Sequence, residues 1–301
     1  MAKTLYQERF QNVWKTWLLM SGFLIVIILL GFAASWYFDS AAILYAAVAF
    51  SLFMNFLSYW HADKIALRVN RAKPLPREGH ERVYNTVENL SIAAGLPMPK
   101  LYIIDDPAPN AFATGRNAKH AAVAVTSGLL QMMNQNELEG VLAHELSHVG
   151  NKDILVQTVV VVLVGFVAIL SDIFLRSTFW GIGGNDRDSR AGIIFMIIGI
   201  IFSILAPIVA TIIQLAVSRK REFLADASGA LLTRYPEGLI SALQKIDAYS
   251  APMRHPSNAT AHMYIANPFG SKGKSFSASI SRLFMTHPPV ADRIAALRGM
   301  E

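Results

Sequence analysis

The chain has 301 residues, 53% of them hydrophobic and only 16% charged, which is too apolar for a water-soluble globule and assigns part of it to lipid. It contains no cysteine, so a disulfide framework and every cysteine-based zinc site are excluded, and any metal must be held by histidine and carboxylates. The net charge of +6 does not describe a nucleic-acid face, because the basic residues flank apolar runs.

Four apolar runs, 17–38, 41–60, 154–171 and 192–217, approach or exceed the roughly 20 residues that a helix needs to cross a bilayer. Only Asp39 and Ser40 separate the first two, which predicts a tight helical hairpin. The first run is longer than the roughly 7–15 apolar residues of a signal peptide, and a second follows at once, so both are expected to be permanent. Lys3, Arg9 and Lys15 precede the first run. Lys64, Arg68, Arg71, Lys73 and Arg77 follow the second, and Arg219, Lys220 and Arg221 follow the fourth. Asp39 is the sole charge between the first two runs, and between the last two Arg176, Arg187 and Arg190 are matched by Asp172, Asp186 and Asp188. The positive-inside rule then predicts both termini and both polar segments in the cytoplasm.

In the first polar segment, 61–153, residues 100–105 are expected to be extended, 107–117 turn-rich and 121–126 a strand with alternating Ala and Val. A helix follows. Asn134 and Glu137 provide its N-terminal cap, and Leu138, Val141, Leu142, Leu146 and Val149 keep helical spacing up to Gly150. The second polar segment, 218–301, is expected to open with a helix through Phe223, Ala227 and Ala230, with further helices at 238–249 and 291–298. Between these, 250–274 is rich in Pro, Ser, Gly and Asn, a long loop whose composition permits mobility. The cluster Gly181-Ile182-Gly183-Gly184 lacks the Lys-Ser/Thr of a phosphate loop and reads as a linker between spans.

The chemistry sits on the helix that ends at Gly150. His144 and His148 are four residues apart and share one face, so two imidazoles can meet one metal. Glu145, beside the first, can take a proton from a metal-activated water, the H-E-x-x-H arrangement of zinc peptidases. The plain alternative is a solvated glutamate between two helical histidines. A hydrolytic site needs three protein ligands and an open position, whereas a closed structural site needs four. The metzincin extension fails, because Asn151 and Ile154 stand where its Gly and third His belong. Residues 218–227 offer Glu222 as the third ligand, with Asp226 one turn on to orient a ligand histidine. On spacing alone, the same stretch also reads as a juxtamembrane charge cluster. His148 lies just before the third run and Glu222 just after the fourth, so an antiparallel helix pair would bring them together at one membrane face.

Four ordered motifs then carry a resemblance: Asn110-Ala111-Phe112-Ala113-Thr114-Gly115; His144-Glu145-Leu146-Ser147-His148 with Asn151 and Asp153; Ser218-Arg219 through Asp226; and Thr286-His287-Pro288-Pro289 with Arg293. Over nearly its whole length the chain resembles the HtpX-type membrane zinc endopeptidases, relatives of the CaaX prenyl endopeptidases. The resemblance implies one zinc ion on His144, His148 and Glu222, with Glu145 as catalytic base and Asp226 and Asn151 supporting the ligands. It also implies that residues 110–114 form a substrate-binding edge, that His287 donates to the developing oxyanion and that Arg293 orients Glu222.

The expected fold is a predominantly α membrane protein with four transmembrane helices and an α+β, zincin-like (gluzincin) cytosolic catalytic domain containing a small β-sheet. Its parts are a transmembrane hairpin at 1–60, the first catalytic part at 61–153, a second hairpin at 154–217 and the second catalytic part at 218–301. The expected activity is zinc-dependent hydrolysis of polypeptides at the cytosolic face of a bacterial inner membrane, in quality control of membrane proteins under stress, with no nucleic-acid partner. Competing readings are a catalytically silent metal-binding scaffold or chaperone, a prenyl-protein processing peptidase and a metal-ion transporter. Nearly charge-free spans argue against the last.

Overall fold

The structure is a computed structural model that describes residues 5–37, 39–163, 165–166, 219–270 and 288–300. Its first two helices, α1 (Leu5–Tyr37) and α2 (Ala41–Trp60), form the expected hairpin, with the chain reversing at Asp39, whose φ is 48°. Both are long and apolar enough to cross a membrane, with mean hydropathies of 2.5 and 1.8. α1 starts twelve residues before the apolar run, because the polar turns ahead of Trp17 keep helical geometry. A half-buried side chain helps tie the pair together: Asn55 Nδ2 donates to the Met20 carbonyl at 3.2 Å.

After α3 (Ala62–Val69), the chain lays down β1 (Lys73–Pro74), α4 (Glu81–Ala94), β2 (Lys100–Ile104), β3 (Ala111–Thr114) and β4 (Ala122–Thr126). The sheet order is β1-β2-β4-β3, with β2 and β4 parallel and the outer pairs antiparallel. Alternation along the strands sends Leu101, Ala111, Ala113, Val123 and Val125 into the main core. Phe112, Ala122 and Ala124 go to the opposite face, with Ala66 and Leu67 of α3. β3 lies within the stretch expected to be turn-rich. Its four residues are flanked by Pro107, Pro109, Gly115 and Asn117, which mask so short a strand in the sequence.

A short helix α5 (Ser127–Met132) leads to α6 (Gln135–Gly150), whose Asn134–Glu137 capping box forms as expected. α6 turns by 84° into α7 (Asp153–Leu163), where the third apolar run begins. Such a bend separates α6 from any span that α7 starts, and α6 is instead walled in by protein, with its residues 140–149 all buried. The rest of the third run and all of the fourth lie outside the described residues. After them come α8 (Arg219–Thr233), α9 (Pro236–Ala248) and α10 (Val290–Arg298). The segment read as a loop after residue 250 is irregular apart from a 3-10 turn at Ala261–Met263, and its residues 259–265 belong to the interior, all of them buried.

Candidate metal centre

Helices α6 and α8 build the centre. They approach closely because Gly229 of α8 has no side chain: a Cβ there would lie 3.0 Å from the backbone nitrogen of His144. The contact brings Glu222, one turn inside α8, against the two histidines. His144 Nε2 and His148 Nε2 are 3.2 Å apart. Glu222 Oε2 lies 3.7 Å from the former, and its Oε1 lies 3.6 Å from the latter. All three side chains are buried, and among the described residues they are the one group of at least three His and carboxylate side chains close enough to hold a metal ion.

The opposite edge of each imidazole is held by a carboxylate. His144 Nδ1 lies 2.8 Å from Asp226 Oδ1, and His148 Nδ1 lies 3.0 Å from Asp153 Oδ2. A carboxylate can only accept, so each Nδ1 carries the proton and each Nε2 turns toward the gap between the rings. Asp226 is gripped in turn by Arg293 of α10, with Nε and Nη2 at 2.8 and 2.6 Å, while Arg293 Nη1 donates to the Ile265 carbonyl at 3.2 Å.

Electrostatics favour a cation here. Burial pushes the His148 ring towards neutrality, yet the Asp153 hydrogen bond and the charges of Glu222, Asp153 and Glu145 carry its pKa to about 9. Burial keeps His144 below its ordinary value. Burial, aided by the Glu222 charge, raises Glu145 to about 7. Among the described residues neither Glu145 oxygen has a well-formed hydrogen-bond partner, although the Ala113 amide of β3 lies near enough to favour the ionised form.

These residues fit a zinc ion. Zinc–ligand bonds of about 2.0–2.2 Å at tetrahedral angles separate neighbouring donor atoms by roughly 3.3–3.6 Å, close to the observed spacings. A buried carboxylate beside that point, with no firm partner among the described residues, has the form of a base awaiting a water.

Strand β3, which holds most of the expected substrate edge, is the outermost strand of the sheet beside α6. Thr126 N–H donates to the Asn110 carbonyl, so the antiparallel ladder turns the backbone N–H and C=O groups of Asn110 and Phe112 toward β4 and those of Ala111 and Ala113 away from it. Ile265 N–H takes the Ala111 carbonyl at 3.0 Å. The Asn110 side chain bonds Ala266 in both directions, donating at 3.0 Å and accepting at 3.2 Å. Ala113 is therefore the outward position beside Glu145.

Of the residues singled out in the sequence, His144, Glu145, His148, Glu222, Asp226, Arg293 and Ala113 come together. Arg293, expected to orient Glu222, pairs with Asp226. Asn151 accepts at its backbone carbonyl from Asn12, and it is Asp153 that accepts the hydrogen bond from His148 Nδ1. His287 lies outside the described residues. Asp153 and Asn12 were not singled out for these contacts; the five-residue step from His148 to Asp153 was readable, whereas Asn12 carried no signal.

A helix carrying two histidines and a glutamate, a carboxylate from a second helix beside them and a strand edge alongside have the form of a metallopeptidase centre. The chain belongs to peptidase family M48, whose sequence profile matches residues 77–301. It is 47% identical over 303 residues to the "Protease HtpX homolog" of Caldanaerobacter subterraneus subsp. tengcongensis, covering 99% of this chain and 98% of that one. The protein of the same description from Lactobacillus acidophilus is 45% identical over 305 residues, covering 98% and 100%. The crystal structure of S. mikatae Ste24p shares the fold at a TM-score of 0.50 and 19% identity, covering 97% of this chain and 67% of that one. The chain is thus an HtpX-type integral membrane metalloprotease that acts on polypeptides.

Proposed function

We propose that His144, His148 and Glu222 hold one zinc ion and that Glu145 is the catalytic base of a membrane zinc endopeptidase. The convergence of three buried donor atoms beside the Glu145 carboxylate carries this reading. When bound, the ion supplies Lewis-acid polarisation of the scissile carbonyl and acidifies the attacking water. Glu145 accepts that water's proton and delivers it to the leaving amine, so no covalent intermediate is required. Asp226 and Asp153 keep both ligand rings in the Nδ1–H form. An extended substrate pairs with the outward edge of β3 at Ala113, within residues 110–114. The resemblance adds His287 as the donor to the developing oxyanion.

The proposed architecture is zincin-like, with four spans and the domain limits 1–60, 61–153, 154–217 and 218–301. Its active site faces the cytoplasm at the inner membrane, its substrates are damaged membrane proteins, and nucleic acid is no partner. Basic residues around the apolar runs support the orientation, and the closeness of the site to the start of α7 supports cleavage near the headgroups.

The test uses the full chain purified in detergent with zinc. Glu145→Gln is expected to keep the metal and lose about 10²–10⁴-fold in casein cleavage, the usual contribution of a general base. Cleavage equal to that of the unsubstituted protein would remove the mechanism.

A further inference from the structure

Asn12, on α1 at the start of a candidate membrane span, is 1% exposed. A buried amide in such a helix is costly unless its hydrogen bonds are made. They are made far along the chain. Its Nδ2 donates to Asp153 Oδ1 at 2.6 Å and to the Asn151 carbonyl at 3.2 Å, and its Oδ1 accepts from Arg221 Nη1 at 3.2 Å. The amide orientation follows from the partners, since a carboxylate can only accept and a guanidinium can only donate.

Asp153 is thereby held at both oxygens, by Asn12 on Oδ1 and by His148 on Oδ2. Arg221 Nη1 stands 3.9 Å from Asp153 Oδ1, and Asn12 bonds to both. Without that amide the guanidinium could close onto Asp153 and draw the carboxylate's charge away from the His148 ring. Packing fixes the depth of α1: Met20, Phe23 and Ile27 meet Leu155, Val159 and Leu163 of α7, which keeps Asn12 level with Asp153.

We infer that Asn12 is a positioning residue for the metal centre, orienting Asp153 on His148, so that the first membrane helix is a working part of the site. The M48 profile begins at residue 77, so this support comes from a part of the chain outside it. The inference rests on His148 being a metal ligand.

The experiment measures zinc affinity of the full chain in detergent by competition with a chromogenic chelator, alongside kcat and KM on casein. Asn12→Leu keeps the approximate volume and removes all three hydrogen bonds. Its zinc Kd is expected to rise about tenfold, at the low end for outer-sphere partners, with kcat falling and KM unchanged at subsaturating zinc. Asn12→Asp, which replaces a donor by an acceptor facing Asp153, is expected to lose affinity in the same direction and serves if the leucine variant does not fold. Asn55→Leu breaks the side-chain hydrogen bond from α2 to the Met20 carbonyl of α1, away from Asp153, and is expected to bind zinc like the unsubstituted protein. A Kd within twofold of that protein in both Asn12 variants would overturn the inference. So would an equal loss in Asn55→Leu, which would mean general loosening of the hairpin. Zinc binding that is absent from the unsubstituted protein, or indifferent to His148→Ala, would instead remove the metal site itself.

Discussion

Asp226 meets two partners with one carboxylate, orienting His144 through Oδ1 and neutralising the buried Arg293 through both oxygens. Burial alone would raise its pKa, but the Arg293 charge and hydrogen bonds, with His144, hold it at about 2 against an ordinary 3.8. A depressed folded-state pKa contributes stability that is fully present above the unfolded value and is lost as pH falls through the folded one. The loss should therefore run from about pH 4 down to about pH 2, and should total on the order of 2 kcal/mol. Asp226→Asn should flatten that part of a stability-versus-pH curve. At neutral pH it leaves a buried guanidinium without its counter-charge and is expected to cost about 3–5 kcal/mol in denaturant melts. A neutral melt within 1 kcal/mol of the unsubstituted protein would mean that Arg293 has another adequate partner. Asp226 was legible because it shares a helix face with Glu222, one turn away. Asn12 was not, since 141 residues separate it from Asp153 and nothing in an apolar helix start announces a distant carboxylate.

At the scale of elements, Gly140 and Gly229 are among the glycines that set how closely α6 is approached, and they separate stability from metal binding. A Cβ on Gly140 would sit 2.6 Å from the Leu239 backbone nitrogen of α9, a distance that real contacts do not allow. A Cβ on Gly229 would sit 3.0 Å from the His144 nitrogen of α6, tight enough to move α8 by a few tenths of an ångström. In an exposed helix Gly→Ala gains about 1 kcal/mol of propensity, but overpacking costs about 1–3 kcal/mol and should win at both positions. Gly140→Ala is expected to melt lower than Gly229→Ala, whereas Gly229→Ala should lose more zinc affinity, because α8 carries Glu222. Chelator competition and denaturant melts on the pair check this, and the reverse ranking of affinities would sink it. The histidine helix was readable end to end because its cap, its apolar spacing and its ligands all lie in sixteen consecutive residues. By contrast α4 and the β3 strand went unread. α4 carries helical spacing at Val83, Val87 and Leu90 and stops at Gly95, a period thinned by Thr86 and Ser91 on the same buried face, and the four residues of β3 are held in place by β4 and the 264–266 segment rather than by their own pattern.

At the scale of the whole molecule, the start of the candidate span within α1 and the N-terminal end of α7 meet at Asn12 and Asp153, so both apolar stretches start from the level of the metal centre. α2 reverses the direction of α1 and delivers the chain back at Trp60, where Arg116 Cζ stacks 4.5 Å from the indole ring centre. This arrangement supports a centre on the same membrane side as the N-terminus and the basic cluster after α2. That cluster holds Lys64, Arg68, Arg71, Lys73 and Arg77 within seventeen residues of the span, against one acidic residue in the hairpin turn, and such a bias orients short-looped hairpins with their basic side in the cytoplasm. A fluorescent protein that folds only in the cytoplasm, fused at either end, is therefore expected to fluoresce. Alkaline phosphatase, which needs the oxidising periplasm, should be inactive at both ends and active when inserted at Asp39. Phosphatase activity at the C-terminus would break the even number of crossings after α2. Activity at both ends with none at Asp39 would invert the molecule and put Glu145 outside the cytoplasm.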